Sequence, residues 1–325
     1  VQAEAYDYPE SFFEPKVWAM RRTRPDEGEL ARAADAIKAA TRPVIVAGGG
    51  VHYSDAEAAL IEFAEAHQIP VVETQAGKSS LQWDHPLNLG PVGVTGASSA
   101  NSICAAADVV LGVGTRFQDF TTGSWSLFQN PARKLISLNV QAYDAVKHGA
   151  MPVLADARVG LGELSAALAG YAATPPAASV KADWFAAVDP LTAAPSDGNA
   201  LPTDMQVIGA VQRAAGPDTV VMCAAGTMPG ELHKLWKAGR PMSYHMEYGY
   251  SCMGYEIAGA MAIKMAEPDR DVICFTGDGT YLMANSELAT AAMMGIKITI
   301  VVTDNRGFGC INPVSYTHLT LPTTC

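Results

Sequence analysis

From about residue 27 the chain alternates between two kinds of stretch. Short apolar runs, Pro43–Ala47, Pro70–Glu73, Val109–Val113 and Lys134–Asn139, are separated by longer segments with apolar residues at helical spacing. The spacing predicts helices over Glu27–Ala40, where Leu30, Ala33, Ala34 and Ile37 share one face, and over Ala56–His67 and Ser98–Ala106. Runs without polar alternation are buried on both faces, as parallel strands are when crossover helices cover them. This first unit takes residues 26–171. Residues 172–200 hold Pro175, Pro176, Pro190 and Pro195 among Ala, Ser and Gly, and read as an exposed linker. The rhythm resumes over 201–312. Helices are predicted at Thr203–Ala214, Tyr255–Ala266 and Ser286–Met294, with strands at Thr219–Cys223, Asp271–Thr276 and Lys297–Thr303. The expected fold class is α/β, with two parallel-sheet α/β sandwich domains. Residues 1–25 are mixed and turn-rich and read as a linker arriving from something upstream.

Composition narrows this picture. At roughly 150 residues per domain, 325 residues suit about two domains. Apolar content of 49% against 17% charged residues is enough for two cores and excludes a disordered chain. With 22 Lys and Arg against 33 Asp and Glu, the net charge is −11, which speaks against coating nucleic-acid phosphates. No apolar run approaches the ~18–20 residues that span a bilayer, and the first residues do not read as a signal peptide. The six cysteines form no CxxC pair and read as reduced core thiols, hence a cytoplasmic enzyme.

The chemistry concentrates in Thr276-Gly277-Asp278-Gly279-Thr280 and Asp304-Asn305-Arg306-Gly307. Gly277-Asp278-Gly279 follows an apolar strand, at the end where open α/β sheets place ligands. Asp278 and Asn305 are 27 positions apart, and the span holds a helix and the next strand. Both therefore belong at the carboxyl ends of neighbouring parallel strands. A carboxylate and an amide oxygen side by side are hard ligands, suited to magnesium that also holds phosphates. Gly279 and Thr280, placed before a helix, offer backbone N–H groups to the same phosphates. Gly-Asp-Gly alone is also ordinary turn chemistry; the strand before it and the Asn after it at this distance carry the signal.

GDG followed after about 25 residues by Asn resembles the signature of the thiamine diphosphate-dependent enzymes. The resemblance implies Mg2+ bound by Asp278, Asn305 and the backbone carbonyl of Gly307. That family usually has Asn-Asn where this chain has Asp304-Asn305, and the second position is the ligand. Ser251-Cys252-Met253-Gly254 resembles the stretch that meets the aminopyrimidine, with Met253 as the wedge that bends the cofactor and the Ser251 carbonyl near its amino group. Met253 as plain core is the alternative. Gly226-Thr227 resembles the loop that meets the diphosphate. The implied domains are a middle domain and a truncated diphosphate-binding domain. Within the family, Val71–Lys78, Gly93–Gly96, Gly114–Trp125, Ser137–Gln141 and Gly307–Asn312 resemble the trihydroxycyclohexane-dione hydrolases of inositol catabolism.

That resemblance implies a hydrolase in which thiamine diphosphate adds to one carbonyl of a small cyclic dione, the bond between the carbonyl carbons breaks, and water releases 5-deoxy-glucuronate. It also implies a homo-oligomer, dimer or tetramer, with no nucleic-acid or membrane partner. The activating glutamate of the family lies in an amino-terminal domain that this chain is expected to lack, so no catalytic residue is assigned and the chain by itself is expected to be inactive. Glu247 and Glu287 are not assigned to that role; Glu287 suits a helix start. Arg116, Gln118 and Asp119 read as structural. Gly48-Gly49-Gly50 lacks dinucleotide-loop spacing. The histidines lack metal spacing, and only His233 and His245 are kept as substrate contacts. Residues 313–325 read as a non-native tail. A truncated sheet is expected to expose Ile298, Ile300 and Val302. An acetohydroxyacid-synthase-like carboligase and a non-catalytic diphosphate-binding module remain as alternatives.

Overall fold

The computed structural model describes residues 3–195, 200–247 and 249–309. Asn312 and the stretch 313–325, singled out above, lie outside the described residues. The first sheet contains β1 (Pro43–Ala47), β2 (Val71–Glu73), β3 (Asn88–Pro91), β4 (Val109–Val113), β5 (Lys134–Asn139) and β6 (Met151–Leu154), in the order β3-β2-β1-β4-β5-β6. Every pairing in it is parallel. Its helices are α1 (Glu27–Lys38), α2 (Gly50–Tyr53), α3 (Glu57–His67), α4 (Ser98–Ala106), α5 (Asp119–Thr122), α6 (Ala142–Val146) and α7 (Ala157–Ala167). Alternation along β1 sorts side chains between two cores. Ile45 and Ala47 pack with Ile37 of α1, Phe63 of α3 and Leu161 of α7. Val44 and Val46 pack with Ala100 and Cys104 of α4. Each fully buried Val, Ile, Leu or Phe among them contributes roughly 1.5–3 kcal/mol. Asp26 caps α1 through the Gly28 and Glu29 amides, and Asp156 caps α7 through those of Arg158 and Val159. Arg22 binds Asp156 at 2.8 Å, fastening the end of the early segment to this unit.

The second unit contains α8 (Ser179–Val188), α9 (Asp204–Ala214), β7 (Val220–Cys223), α10 (Met228–Leu235), β8 (Tyr244–Met246), α11 (Tyr255–Ala266), β9 (Val272–Gly277), α12 (Asp278–Ala284), α13 (Glu287–Met293) and β10 (Thr299–Thr303). Its four strands are parallel in the order β10-β9-β7-β8. Again alternate residues part: Val221, Cys223, Ile273 and Phe275 face one core, and Val220, Val272 and Cys274 the other. Short β3, β6 and β8 were not legible, because Asn88, Gly90, Pro152 and His245 break their apolar pattern and pairing alone makes them strands. The stretch expected as an exposed linker contains α8, whose Phe185 meets Trp83 edge-on at 5.3 Å. Aromatic anchors there outweigh the Pro- and Ala-rich composition. Along β10, Val302 is 44% exposed and Ile300 is half-buried, as is Ile298 just before the strand.

A polar seam joins the two units. Gln75 accepts from the Tyr244 hydroxyl at 2.7 Å and donates to the Pro229 carbonyl at 3.1 Å. The Trp83 amide donates to the Ala238 carbonyl at 3.0 Å, and Thr95 Oγ1 meets His233 Nδ1 at 3.0 Å. Behind these lies buried Glu73, which accepts from the Leu81 amide and from Asn88. Burial raises the Glu73 pKa against the nearby charge of Lys78, and burial lowers that of Lys78 to about 8. The string Val71–Lys78 thus forms one wall of the seam.

His233 is fully buried here, which removes it as an open substrate contact. Burial, then the charge of Lys78, lowers its pKa from 6.5 to about 3. Between those values the unfolded chain binds the proton more readily. Stability is therefore complete above the unfolded value and is lost as pH falls toward the folded one. At pH 5 the loss is about 2 kcal/mol. Denaturant unfolding at pH 7 and pH 5 should show this loss in the native chain and not in His233→Gln; equal losses would contradict it.

Candidate active site

Parallel strands carry their loops to one end, and four such loops enclose a cleft of about 220 Å3. The loop after β7 brings Ala225, Gly226 and Thr227; the loop after β8 brings Ser251 and Met253. The start of α12 brings Gly277, Gly279 and Thr280; the loop after β10 brings Asn305, Gly307, Phe308 and Gly309. Eight of the nine expected site residues line this one cleft. The ninth, Asp278, sits directly against it: its Oδ2 accepts from the Gly307 amide at 3.0 Å. One correction concerns the chain path. Gly279 and Thr280 lie inside the first turn of α12, not before the helix, with Gly277 as N-cap.

Asp278 Oδ1 is buried with no hydrogen-bond partner among the described residues. An orphaned carboxylate oxygen carries a desolvation cost that a cation or a donor relieves. Among the described residues no three His, Cys, Asp or Glu side chains converge on a metal site. The donor set at hand is instead one carboxylate, one amide and a backbone carbonyl, all oxygens, which is hard-cation chemistry. Close packing constrains this wall. A Cβ on Gly279 would stand 2.6 Å from the Phe308 ring, and one on Gly309 would stand 2.7 Å from Asn305 Nδ2. At Gly226 and Gly277 a Cβ would meet nothing within 4 Å, so those backbones face open space. The residues fit a cation with a phosphate-bearing ligand.

Glu247 has a local role. Its carboxylate accepts from the Tyr250 and Cys252 amides, at 3.0 and 2.6 Å, and so brackets Ser251, whose φ of 55° is left-handed. Burial raises its pKa, but these N–H donors outweigh that and hold it below the usual carboxylate value. His245 is spent on the Tyr255 hydroxyl at 3.1 Å. Arg116 donates to Gln118 at 3.3 Å, and both line a separate cleft at the ends of β1 and β4. Sequence reasoning missed Asp204 and Phe308, which also line the cleft. Asp204 had only a capping-box signal, as the residue after Thr203; burial, then the charge of Glu231, raises its pKa.

Residues 30–164 match the central domain of thiamine pyrophosphate enzymes, and residues 224–320 match the C-terminal TPP-binding domain of the same enzymes. The chain belongs to the thiamine pyrophosphate enzymes. Within that class it is similar to the 3D-(3,5/4)-trihydroxycyclohexane-1,2-dione hydrolase of Bacillus licheniformis, 41% identical over 98% of this chain and 54% of that protein. The same-named proteins of Clostridium perfringens and Bacillus subtilis are 43% and 40% identical, over 96% and 98% of this chain and 53% and 54% of theirs. The chain spans about half the length of these relatives. The family match carries thiamine diphosphate as the cofactor.

The bracket around Ser251 makes a prediction. Glu247→Gln keeps one acceptor oxygen and replaces the other by a donor, so it should speed hydrogen exchange about fivefold at one of the Tyr250 and Cys252 amides, the ~1 kcal/mol of a net hydrogen bond. Unchanged protection at both amides would show that the turn holds itself.

Proposed function

We propose that this chain carries the cofactor site of a magnesium- and thiamine diphosphate-dependent hydrolase that opens the ring of 3D-trihydroxycyclohexane-1,2-dione to 5-deoxy-glucuronate in inositol degradation. The observation that carries the site is the orphaned Asp278 Oδ1 beside a glycine-lined cleft at parallel strand ends. In this reading Asp278, Asn305 and the Gly307 carbonyl hold Mg2+. Gly279, Thr280, Gly226 and Thr227 hold the diphosphate through backbone N–H groups and the Thr hydroxyls. Ser251 and Met253 meet the aminopyrimidine. Bound thiamine diphosphate supplies a nucleophilic carbon and an electron sink for cleavage between two carbonyl carbons.

The protein's own share is position and electrostatics. The first turn of α12 presents unpaired N–H groups, and its dipole favours an anion. Asp278 opposes that anion unless a cation stands between them, which is what makes the metal obligatory here. Phe308 stands over Gly279 and forms one side of the cleft. The dione-hydrolase reading rests on the similarity to the three relatives and on the strings from Glu73 to Gln141. Three cysteines, Cys104, Cys223 and Cys274, are buried free thiols; burial pushes Cys223 up to about 12, in keeping with inert thiols in a reducing cytoplasm. Exposed Leu282, Met283 and Met293 on α12 and α13 support a homo-oligomer that covers them.

Two outcomes test this. In the enzyme restored to the length of its relatives, Asp278→Ala should weaken thiamine diphosphate binding by at least a hundredfold at millimolar magnesium; calorimetry showing unchanged affinity would rule out the site. The same enzyme should open the trihydroxylated dione and form no acetolactate from pyruvate. Robust acetolactate without ring opening would move the assignment to a carboligase.

A further inference from the structure

Two loops that meet opposite ends of the proposed cofactor are tied together by one buried side chain that lines no part of the cleft. Glu256 is the second residue of α11 and is 1% exposed. One carboxylate oxygen, Oε2, accepts from the Gly254 amide at 2.9 Å, immediately after Met253. The other, Oε1, accepts from the Ala225 amide at 3.3 Å, immediately before Gly226 and Thr227. Neither loop has regular structure to hold it. Each turns through left-handed positions, φ of 104° at Gly226, 55° at Ser251 and 93° at Gly254, and such turns persist only where surrounding contacts over-determine them. A buried carboxylate is costly, and burial raises the Glu256 pKa, with the backbone donors acting against this. Its two oxygens meet the two loops and stay out of the cleft.

We infer that Glu256 is a positioning residue that sets the distance between the diphosphate-contacting loop and the aminopyrimidine-contacting loop. This rests on the site reading given above. A ligand that spans both loops feels that distance; a ligand that touches one loop does not. Glu256→Gln keeps the shape but turns a donor toward one of the two N–H groups, so one tether is lost. Glu256→Asp keeps the charge but is one methylene too short to reach both amides.

The test compares two probes by calorimetry in the full-length enzyme with magnesium present: thiamine diphosphate, which spans both loops, and inorganic diphosphate, which meets one. Glu256→Gln should weaken thiamine diphosphate about tenfold or more and inorganic diphosphate less than twofold, with the unfolding temperature of the cofactor-free protein little changed. Glu256→Asp should move the same way by a smaller factor, and it carries the comparison if the Gln variant does not fold. Equal weakening of both probes, or of neither, would overturn the inference. Asp278→Ala separates this from the site reading. It should weaken both probes; if it weakens neither, the site reading fails and the inference with it. If it weakens both while the Glu256 variants discriminate nothing, only the inference fails.

Discussion

The parallel pairing of β9 with β10 is the constraint on which the site depends. Its register sets Gly277 opposite Thr303 and Thr276 opposite Val302. The next residues of both strands must then emerge side by side at one sheet edge. Asp278 meets Gly307 there because the ladder ends there, and no side-chain attraction is needed to bring them together. A one-residue slip would turn Ile273 and Phe275 out of their core and Val272 and Cys274 out of theirs, so burial on both faces locks the register. The cost of keeping Asp278 Oδ1 unpartnered is borne by that hydrophobic lock.

The seam between the units works on the same principle with polar groups. Glu73, Lys78, Gln75 and His233 are all buried, which would be expensive if any stood alone. Glu73 instead accepts two hydrogen bonds, and Gln75 uses both ends of its amide on the second unit. Tyr244 donates one of these bonds and begins β8, the strand that leads into the loop of Glu247 and Ser251. The first unit therefore reaches the cleft through β8, although the first sheet supplies no residue to the cleft. This gives a physical reason for the wording of Val71–Lys78: those side chains have partners on another sheet to satisfy.

Legibility in the sequence followed burial. Strands buried on both faces, such as Pro43–Ala47 and Val109–Val113, match the sequence reading to the residue because they are apolar throughout. Lys134–Asn139 matches it through its apolar Leu135, Ile136 and Leu138. Tyr244–Met246 was not legible, since one neighbour alone makes it a strand. In the site, the strand–GDG–helix pattern placed Asp278, and spacing placed Asn305. The roles of Glu256 and Phe308 were invisible, because each depends on a residue distant in the chain: Ala225 for one, Gly279 for the other. The bracket formed by Glu247 carries no sequence signal, because it depends on how the chain turns back over Tyr250 and Cys252.

Both sheets carry glycines at their strand ends, yet the glycines do opposite things. After β1, the Gly48 amide donates to Val113 and the Gly50 amide to Gly114. A Cβ on Gly50 would lie 2.6 Å from the Gly114 Cα. Here glycine lets backbone approach backbone, and the N–H groups that would cradle a phosphate are spent on the fold. After β7 and β9, Gly226 and Gly277 face open space instead. The strand–glycine–helix grammar is shared. After β1, though, the glycine amides serve backbone packing beside a second cleft lined by Gly48, Gly49, Gly50 and Thr115. After β7 and at the end of β9 the glycines border the cleft described above. What separates them is where the N–H groups go: those of Gly48 and Gly50 are taken by Val113 and Gly114 of the neighbouring strand end. In the site reading proposed above the cofactor therefore belongs to the second sheet, and the first contributes through the Gln75–Tyr244 bond that holds β8 in place.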